Sequence, residues 1–408
     1  MKKDEDKGVV FEGYVDDFMK LDLVLSKKSV ENFRIDHDLN KNTLLHVQKL
    51  SPNNSVRIND KEYLLNDLHH MDVFDKNAKY IYEDIEEPLP PVNIYTRDYD
   101  DESIMMTKDR DGNFKSITLL NKMSGSSVDL KMIAPFYLVK VNPDDVNIEY
   151  LRRKFHFADK LTTKINPHLK VQNIRTNINE GVCKCKKQIQ LAVAFESSFC
   201  TALHGKSNAE DEVVEIVAAV SQKYGQLGVC ASVKISHIEG HCTALADPYR
   251  AFVKANKSGC EGYGLLDKFQ TYWESHRRFV FRDTAHLFTG TGLECERGGG
   301  CVIGCAFVSS VCSDEAYGVD YITFSRNSNM RAVLIAHELG HNYGAEHYPA
   351  DSEYIMYPSV THAALGFSYP TQLSFKRNTF ACVSTIYNME EPSPSRLRDF
   401  IGNFVPNF

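Results

Sequence analysis

Between Ala336 and His347 the chain reads Ala-His-Glu-Leu-Gly-His-Asn-Tyr-Gly-Ala-Glu-His. On a helix, His337 and His341 project from one face with Cβ atoms about 5–6 Å apart. Two imidazole nitrogens that ligate one zinc at about 2.0–2.1 Å stand about 3.3 Å from one another, which neighbouring turns can supply. Glu338 is rotated about 100° from His337, too far round for a third ligand but close enough to hold a metal-ligated water. Gly344 lets the chain leave the helix through a left-handed turn, so that His347 can return as the third ligand. Three neutral nitrogens and one open position describe a catalytic Zn2+ site, not a structural one. The chemistry expected is peptide hydrolysis by zinc-activated water, with Glu338 as general base and then as proton donor to the leaving amine.

These residues need a buried helix to hold them. Asn327-Ser328-Asn329 offers capping side chains ahead of a helix expected over Met330–Tyr343, in which Val333, Leu334 and Leu339 add apolar surface around the ligands. Upstream, Gln188–Phe195 reads as an apolar strand, Asn208–Tyr224 as an amphipathic helix and Ala231–Ile238 as an alternating strand. Leu265–Arg278 reads as a second helix, with the lone tryptophan, Trp273, as a core anchor. Asp283–Phe288, Cys305–Cys312 and Val319–Phe324 read as further strands. Strands alternating with helices imply an α/β sheet with parallel pairing.

Residues 1–150 differ in character. Short β-branched or alternating runs, such as Leu21–Leu25, Val56–Ile58, Lys79–Tyr82, Ile117–Leu120 and Phe136–Val141, are broken by polar turns, which implies a mainly-β domain. His69-His70 has no further ligand at useful spacing and reads as a pair of surface histidines. In 151–187 basic residues predominate, Asp159 and Glu180 being the only acids; this is a connector in which Arg152-Arg153-Lys154 could be a cleavage point. The domain plan is therefore 1–150 mainly β, 151–187 connector, 188–390 zinc domain and 391–408 tail, where Leu397, Phe400, Ile401 and Phe404 have helical spacing.

With 408 residues, 43% of them hydrophobic, the chain can bury two cores, and a net charge of −7 gives no footprint for nucleic acid or an anionic membrane. No apolar run approaches the roughly 18 residues of a transmembrane helix. All 11 cysteines fall between Cys183 and Cys382, a density that predicts disulfides and a secreted or secretory-pathway protein. The opening Met1-Lys-Lys-Asp-Glu-Asp-Lys7 has no apolar core of a signal peptide, so a signal is expected to be missing from this chain.

The pattern His337-Glu338-x-x-His341-x-x-Gly344-x-x-His347, followed by Tyr354-Ile-Met-Tyr-Pro358, resembles a metzincin zinc protease with its Met-turn. Asp283–Gly290, Gly304–Val308 and Val311–Ser313 resemble the adamalysin (reprolysin, ADAM) branch, and His337–His347 is most similar to its tumour-necrosis-factor-converting group. Residues 1–150 are loosely similar to a reprolysin propeptide. Tyr348 stands where the adamalysin pattern has Asp, and the loop between His347 and Met356 is short and lacks the usual cysteine.

The resemblance implies an α/β (α+β) metzincin catalytic domain with a twisted, largely parallel sheet and a small C-terminal subdomain, preceded by a mainly-β propeptide-like domain. It implies Met356 as an apolar floor beneath the histidines. Pro358, Ser359 and Val360 would line the pocket for the side chain after the scissile bond, and Cys312 would pair with Cys382. Protein or peptide is the substrate class. Contact of the N-terminal domain with the active-site cleft would impose latency; since residues 1–182 contain no cysteine, that inhibition would be steric, without a thiolate. Two other readings stay open. One is a zinc-binding pseudoprotease serving as a binding module, which would not need Glu338; the other is a cytosolic peptidase with reduced thiols.

Overall fold

The structure is a computed structural model that describes residues 61–109, 111–122, 187–226, 229–254, 264–293, 302–311, 315–361 and 366–378, with a few short strands and turns besides. Cys183, Cys185, Cys312, Cys382, the Arg152-Arg153-Lys154 triplet and the tail after Thr385 lie outside the described residues. Two compact units are formed, and neither is continuous in sequence.

The first unit takes Met1–Asp72, Pro90–Ile178 and Ser325–Arg331. It holds a ten-stranded antiparallel sheet, and successive pairings join strands that are mostly neighbours in sequence. Its strands Asn93–Asp98, Glu102–Lys108, Phe114–Asn121 and Ser127–Ala134 form a meander. The hairpin of Ser55–Ile58 and Lys61–Leu64 contributes Val56, Ile58 and Tyr63 to a core with Ile104, Met106, Ile117 and Leu119. His69 and His70 are exposed, as surface histidines should be.

The second unit takes Val73–Leu89, Asn179–Phe324 and Ala332–Phe408. Its strands are β1 (Phe74–Tyr82), β2 (Ile85–Glu87), β3 (Lys187–Phe195), β4 (Ala231–Gly240), β5 (Thr284–Thr289), β6 (Gly304–Ala306), β7 (Tyr317–Tyr321) and β8 (Ser384–Thr385). Its helices are α1 (Ser197–Ala202), α2 (Lys206–Tyr224), α3 (Arg250–Lys254), α4 (Leu265–His276), α5 (Ser328–Asn342), which belongs to this unit from Ala332 onward, and α6 (Tyr369–Asn378). The sheet is mixed and runs β6-β7-β5-β3-β4-β1-β2, with β8 paired to the start of β3. From β7 across to β1 every neighbouring pair is parallel, while β6 and β2 run antiparallel at the two edges.

Parallel strands covered on both faces should be apolar on both, and β3 and β5 are buried along almost their whole lengths. Two of the expected elements come out differently. The strand expected over Cys305–Cys312 ends at Ala306, because the amides of Ser309 and Val311 donate to His341 O and Asn342 O and not to a ladder. The run at Lys79–Tyr82 extends back to Phe74 and pairs with β4 in this second sheet, in parallel register through Lys79–Tyr82 against His237–Gly240.

Helix α4 covers one face of the sheet. Its Leu265, Leu266, Phe269, Tyr272 and Trp273 pack with Ala192, Ala194, Ala285, Leu287, Tyr317 and Val319. Trp273 is fully buried, edge-on to Phe269 at 5.4 Å and His237 at 5.7 Å. Trp273→Ala should therefore destabilise the protein by about 3–5 kcal/mol, the range for an aromatic-to-alanine cavity, measured by reversible denaturant unfolding.

Candidate metal centre

Helix α5 begins at an Asn327 cap, whose Oδ1 accepts from the Met330 amide at 3.0 Å. Tyr224, on α2, donates its hydroxyl to Ala336 O at 3.0 Å, and Leu334, Ile335, Ala336 and Leu339 are buried. At the C-terminal end Gly344 adopts φ 80°, its amide donates to His341 O at 2.8 Å, and the Ala345 amide donates to Gly340 O at 2.9 Å. That pair of bonds is the Schellman turn, which needs a left-handed residue that glycine supplies without a Cβ clash. The chain reverses there and brings His347 back over α5.

The three rings converge. His337 Nε2 lies 3.1 Å from His341 Nε2 and 3.2 Å from His347 Nε2, and the latter two are 3.3 Å apart. Three nitrogens on a tetrahedral ion at about 2.0–2.1 Å would stand about 3.3 Å from each other, so the triangle has the size zinc requires. The outer nitrogens explain the orientation. His337 Nδ1 donates to Ile355 O at 2.7 Å and His341 Nδ1 donates to Ala345 O at 2.8 Å, which leaves both Nε2 lone pairs facing inward. Burial, and then the neighbouring His341, hold the His337 pKa down at about 3, so its ring stays neutral. Burial likewise lowers that of His341. Among the described residues these are the group of three His, Cys, Asp or Glu side chains that could share one ion.

Glu338 is almost wholly buried, and its Oε2 has no hydrogen-bond partner. Burial raises its pKa well above the ordinary carboxyl range, and the charge of Asp320 adds to that. The edge strand β6 comes up against it. A Cβ on Gly304 would lie 2.6 Å from Glu338 Oε1 and 2.8 Å from its Cγ, so only glycine leaves room for the carboxylate at this point.

The remaining expected residues are placed as follows. Met356 is fully buried, and its Sδ would be 2.6 Å from a Cβ on Gly340, so the thioether packs against the α5 backbone between the His337 and His341 turns. Ile355 and Met356 are tied in by hydrogen bonds from the Ile355 amide to Gly366 O and from the Tyr348 amide to Met356 O. Tyr348, in the position where Asp was expected from the resemblance, packs edge-on to Tyr354 at 5.6 Å. Pro358 and Ser359 are exposed and Val360 is half-buried in the bend that follows Met356. Glu346 is exposed.

Four residues gain roles that their sequence motifs did not signal. Asn342, directly after His341, is fully buried. Its Oδ1 accepts from Thr284 Oγ1 at 2.5 Å and sits 3.1 Å from His286 Nε2. Its Nδ2 donates to Phe307 O at 2.9 Å, to Tyr317 O at 3.1 Å and to Ser310 Oγ at 3.2 Å. His286 Nδ1 in turn meets Asp320 Oδ2 at 2.8 Å, with both side chains inaccessible to solvent. The end of the ligand helix is thereby pinned to β5, β7 and the loop after β6. Only the polar type of Asn342 in an otherwise buried helix end could have hinted at this in the sequence. The described cysteines include a Cys200–Cys242 disulfide, and Cys230 and Cys305 are also disulfide-bonded.

Comparison with known proteins agrees with this geometry. Residues 185–371 match the model of the family Reprolysin_5, described as metallo-peptidase family M12. Over 175 residues the chain is 27% identical to a "Zinc metalloproteinase-disintegrin-like" protein of Cerberus rynchops, an alignment that covers 42% of this chain and 26% of that protein. The chain thus spans about a quarter of the length of this relative. A solved "Structure of a chaperone-substrate complex" is similar at a TM-score of 0.34 and 13% identity over 48% of this chain and 34% of that one, too slight a likeness to carry an argument.

Two outcomes follow from the centre. Asn342→Ala should cost about 1–3 kcal/mol through its stranded buried partners, read as a lowered unfolding midpoint of the metal-free protein. The neutral His337 ring makes the unfolded chain, with its ordinary histidine near pH 6.5, bind more protons than the folded one between that pH and about 3. Stability of the metal-free protein should therefore decline as pH falls through that window, and His337→Gln should flatten the decline in thermal melts.

Proposed function

We propose that the chain is a zinc-dependent metalloendopeptidase that cleaves peptide bonds within proteins. The observation that carries this reading is the triangle of inward-facing Nε2 atoms, 3.1–3.3 Å apart, next to a buried carboxylate without a partner. His337, His341 and His347 would hold the ion. When bound, zinc supplies Lewis acidity to a water and to the substrate carbonyl.

Everything else falls to the chain's own side chains. Glu338 takes the proton of the attacking water and then delivers it to the leaving amine. Gly304 keeps the space beside the carboxylate clear. Because β6 is the last strand of the sheet among the described residues, its outer amides and carbonyls can pair with an extended substrate and lay the scissile bond along the cleft. Met356 provides the apolar floor, and Pro358, Ser359 and Val360 line the pocket beyond the scissile bond. The similarity to adamalysin-type proteases supports secretion, the resemblance of His337–His347 to the tumour-necrosis-factor-converting group and a Cys312–Cys382 disulfide, and the absence of cysteine from residues 1–182 supports latency that is steric.

The test uses the full chain after limited proteolysis, a peptide library and a metal assay. Wild type should bind about one zinc per chain and cleave peptides, with activity lost to chelator and restored by zinc. Glu338→Gln should keep its zinc and lose about 10²–10⁴-fold in kcat, the scale of general-base catalysis. A zinc-loaded wild type that cleaves nothing would favour the pseudoprotease reading, and full activity in Glu338→Gln would remove that residue's role.

A further inference from the structure

The five strands β3–β7 arise from within the family-matched residues 185–371, but the sheet does not end with them. On their own they would leave the outer side of β4 as an open parallel edge, a template for another strand. Residues 73–89, from nearly 100 positions earlier in the chain, fill it. The docking is specific. Val73 O accepts from the Ile235 amide at 2.8 Å, and β1 then runs in register from Lys79 to Tyr82. Tyr80 is buried, and its hydroxyl donates to Glu210 Oε1 at 2.5 Å.

The recognition is also electrostatic. Lys206, at the start of α2, makes an ion pair with Glu87 and sits 3.7 Å from the centre of the Tyr82 ring and 5.6 Å from that of Tyr80. Arg277, held by buried Glu239 at 2.9 Å, reaches Asp84 at 2.8 Å. The turn between β1 and β2 consists of Glu83 and Asp84, with φ of 47° and 67°. A two-residue turn with both φ positive normally carries Asn-Gly, and Glu-Asp is poorly suited to it. Contacts from the body of the second unit hold it: the Glu83 amide donates to Gly240 O at 2.9 Å, and the Thr243 amide donates to Glu83 Oε1 at 2.9 Å. A hairpin that bends against its own preference while docked behaves as a ligand of the edge it occupies.

We propose that the outer edge of β4, flanked by Lys206 and Arg277, is a binding site for an extended peptide carrying Tyr-x-Tyr followed by acidic residues. Residues 73–89 are its resident ligand, and they keep the N-terminal part of the protein bound after the backbone is cut between residues 151 and 187. This does not depend on the chain being a peptidase.

The test inserts a site-specific protease sequence at residue 165 of the full chain. After cleavage the two pieces of wild type should co-elute from a sizing column, and amides 79–82 should remain at least 10-fold protected from exchange. Asp84→Lys, at an exposed turn position, and Lys206→Glu should each speed fragment loss at least 10-fold, and Lys206→Glu combined with Glu87→Lys should restore retention. If a variant fails to fold, excess labelled peptide 73–89 should displace the fragment's strand in cleaved wild type, while a scrambled peptide should not. Immediate separation of the wild-type pieces, retention unaffected by both charge reversals, or equal uptake of the scrambled peptide would each overturn the proposal.

Discussion

Three imidazole nitrogens aimed at one point are held 3.1–3.3 Å apart against their mutual repulsion. Much of the second unit does that work. His337 and His341 are oriented by Nδ1–H donation to Ile355 O and Ala345 O, and both carbonyls come from chain that follows the helix. The Schellman turn at Gly344 delivers Ala345 and then His347, while the Tyr348–Met356 hydrogen bond sets the depth of the segment that delivers Ile355. The His337 and His341 rings are thus fixed by backbone groups, which have little rotational freedom of their own. A cation placed among the three nitrogens would turn the repulsion into the site's main attraction.

The same helix end is clamped from the other side. Asn342 links α5 to β5, β7 and the loop beyond β6, and the amides of Ser309 and Val311 join that loop directly to His341 O and Asn342 O. The edge strand is consequently short, and it is held in fixed relation to the histidines. Gly304 and Glu338 meet where that strand passes the helix. A buried carboxyl oxygen without a hydrogen-bond partner is costly to fold around, and Glu338 carries one, Oε2, on the ligand-bearing helix.

The sheet that supports the centre is completed by chain from outside the family-matched region. Strands β1 and β2 cover the edge opposite β6, so among the described residues the sheet ends at β6 on one side and is extended by residues 73–89 on the other. Their polar anchors are individually modest, since Glu87 and Asp84 are partly solvated. Register and side-chain pattern make them specific in combination.

The sequence by itself brought three histidines into one set. The i, i+4 spacing of His337 and His341, the glycine at 344 and the return of His347 are local facts, governed by helical pitch and by the φ that only glycine adopts freely. Helices α2, α4 and α5 and the apolar strand β3 were legible for the same reason, since periodicity reports burial along a single element. What lay beyond local spacing was decided by tertiary structure. Asn342 and His286 are 56 positions apart, and nothing in either motif shows that they share a buried network with Asp320. Gly304 matters only because its own strand passes Glu338 on the helix. The run at Lys79–Tyr82 was recognisable as a strand, but alternation names no partner; its place on β4 came from complementary groups at Lys206, Glu210 and Arg277, which the chain supplies more than 100 residues later.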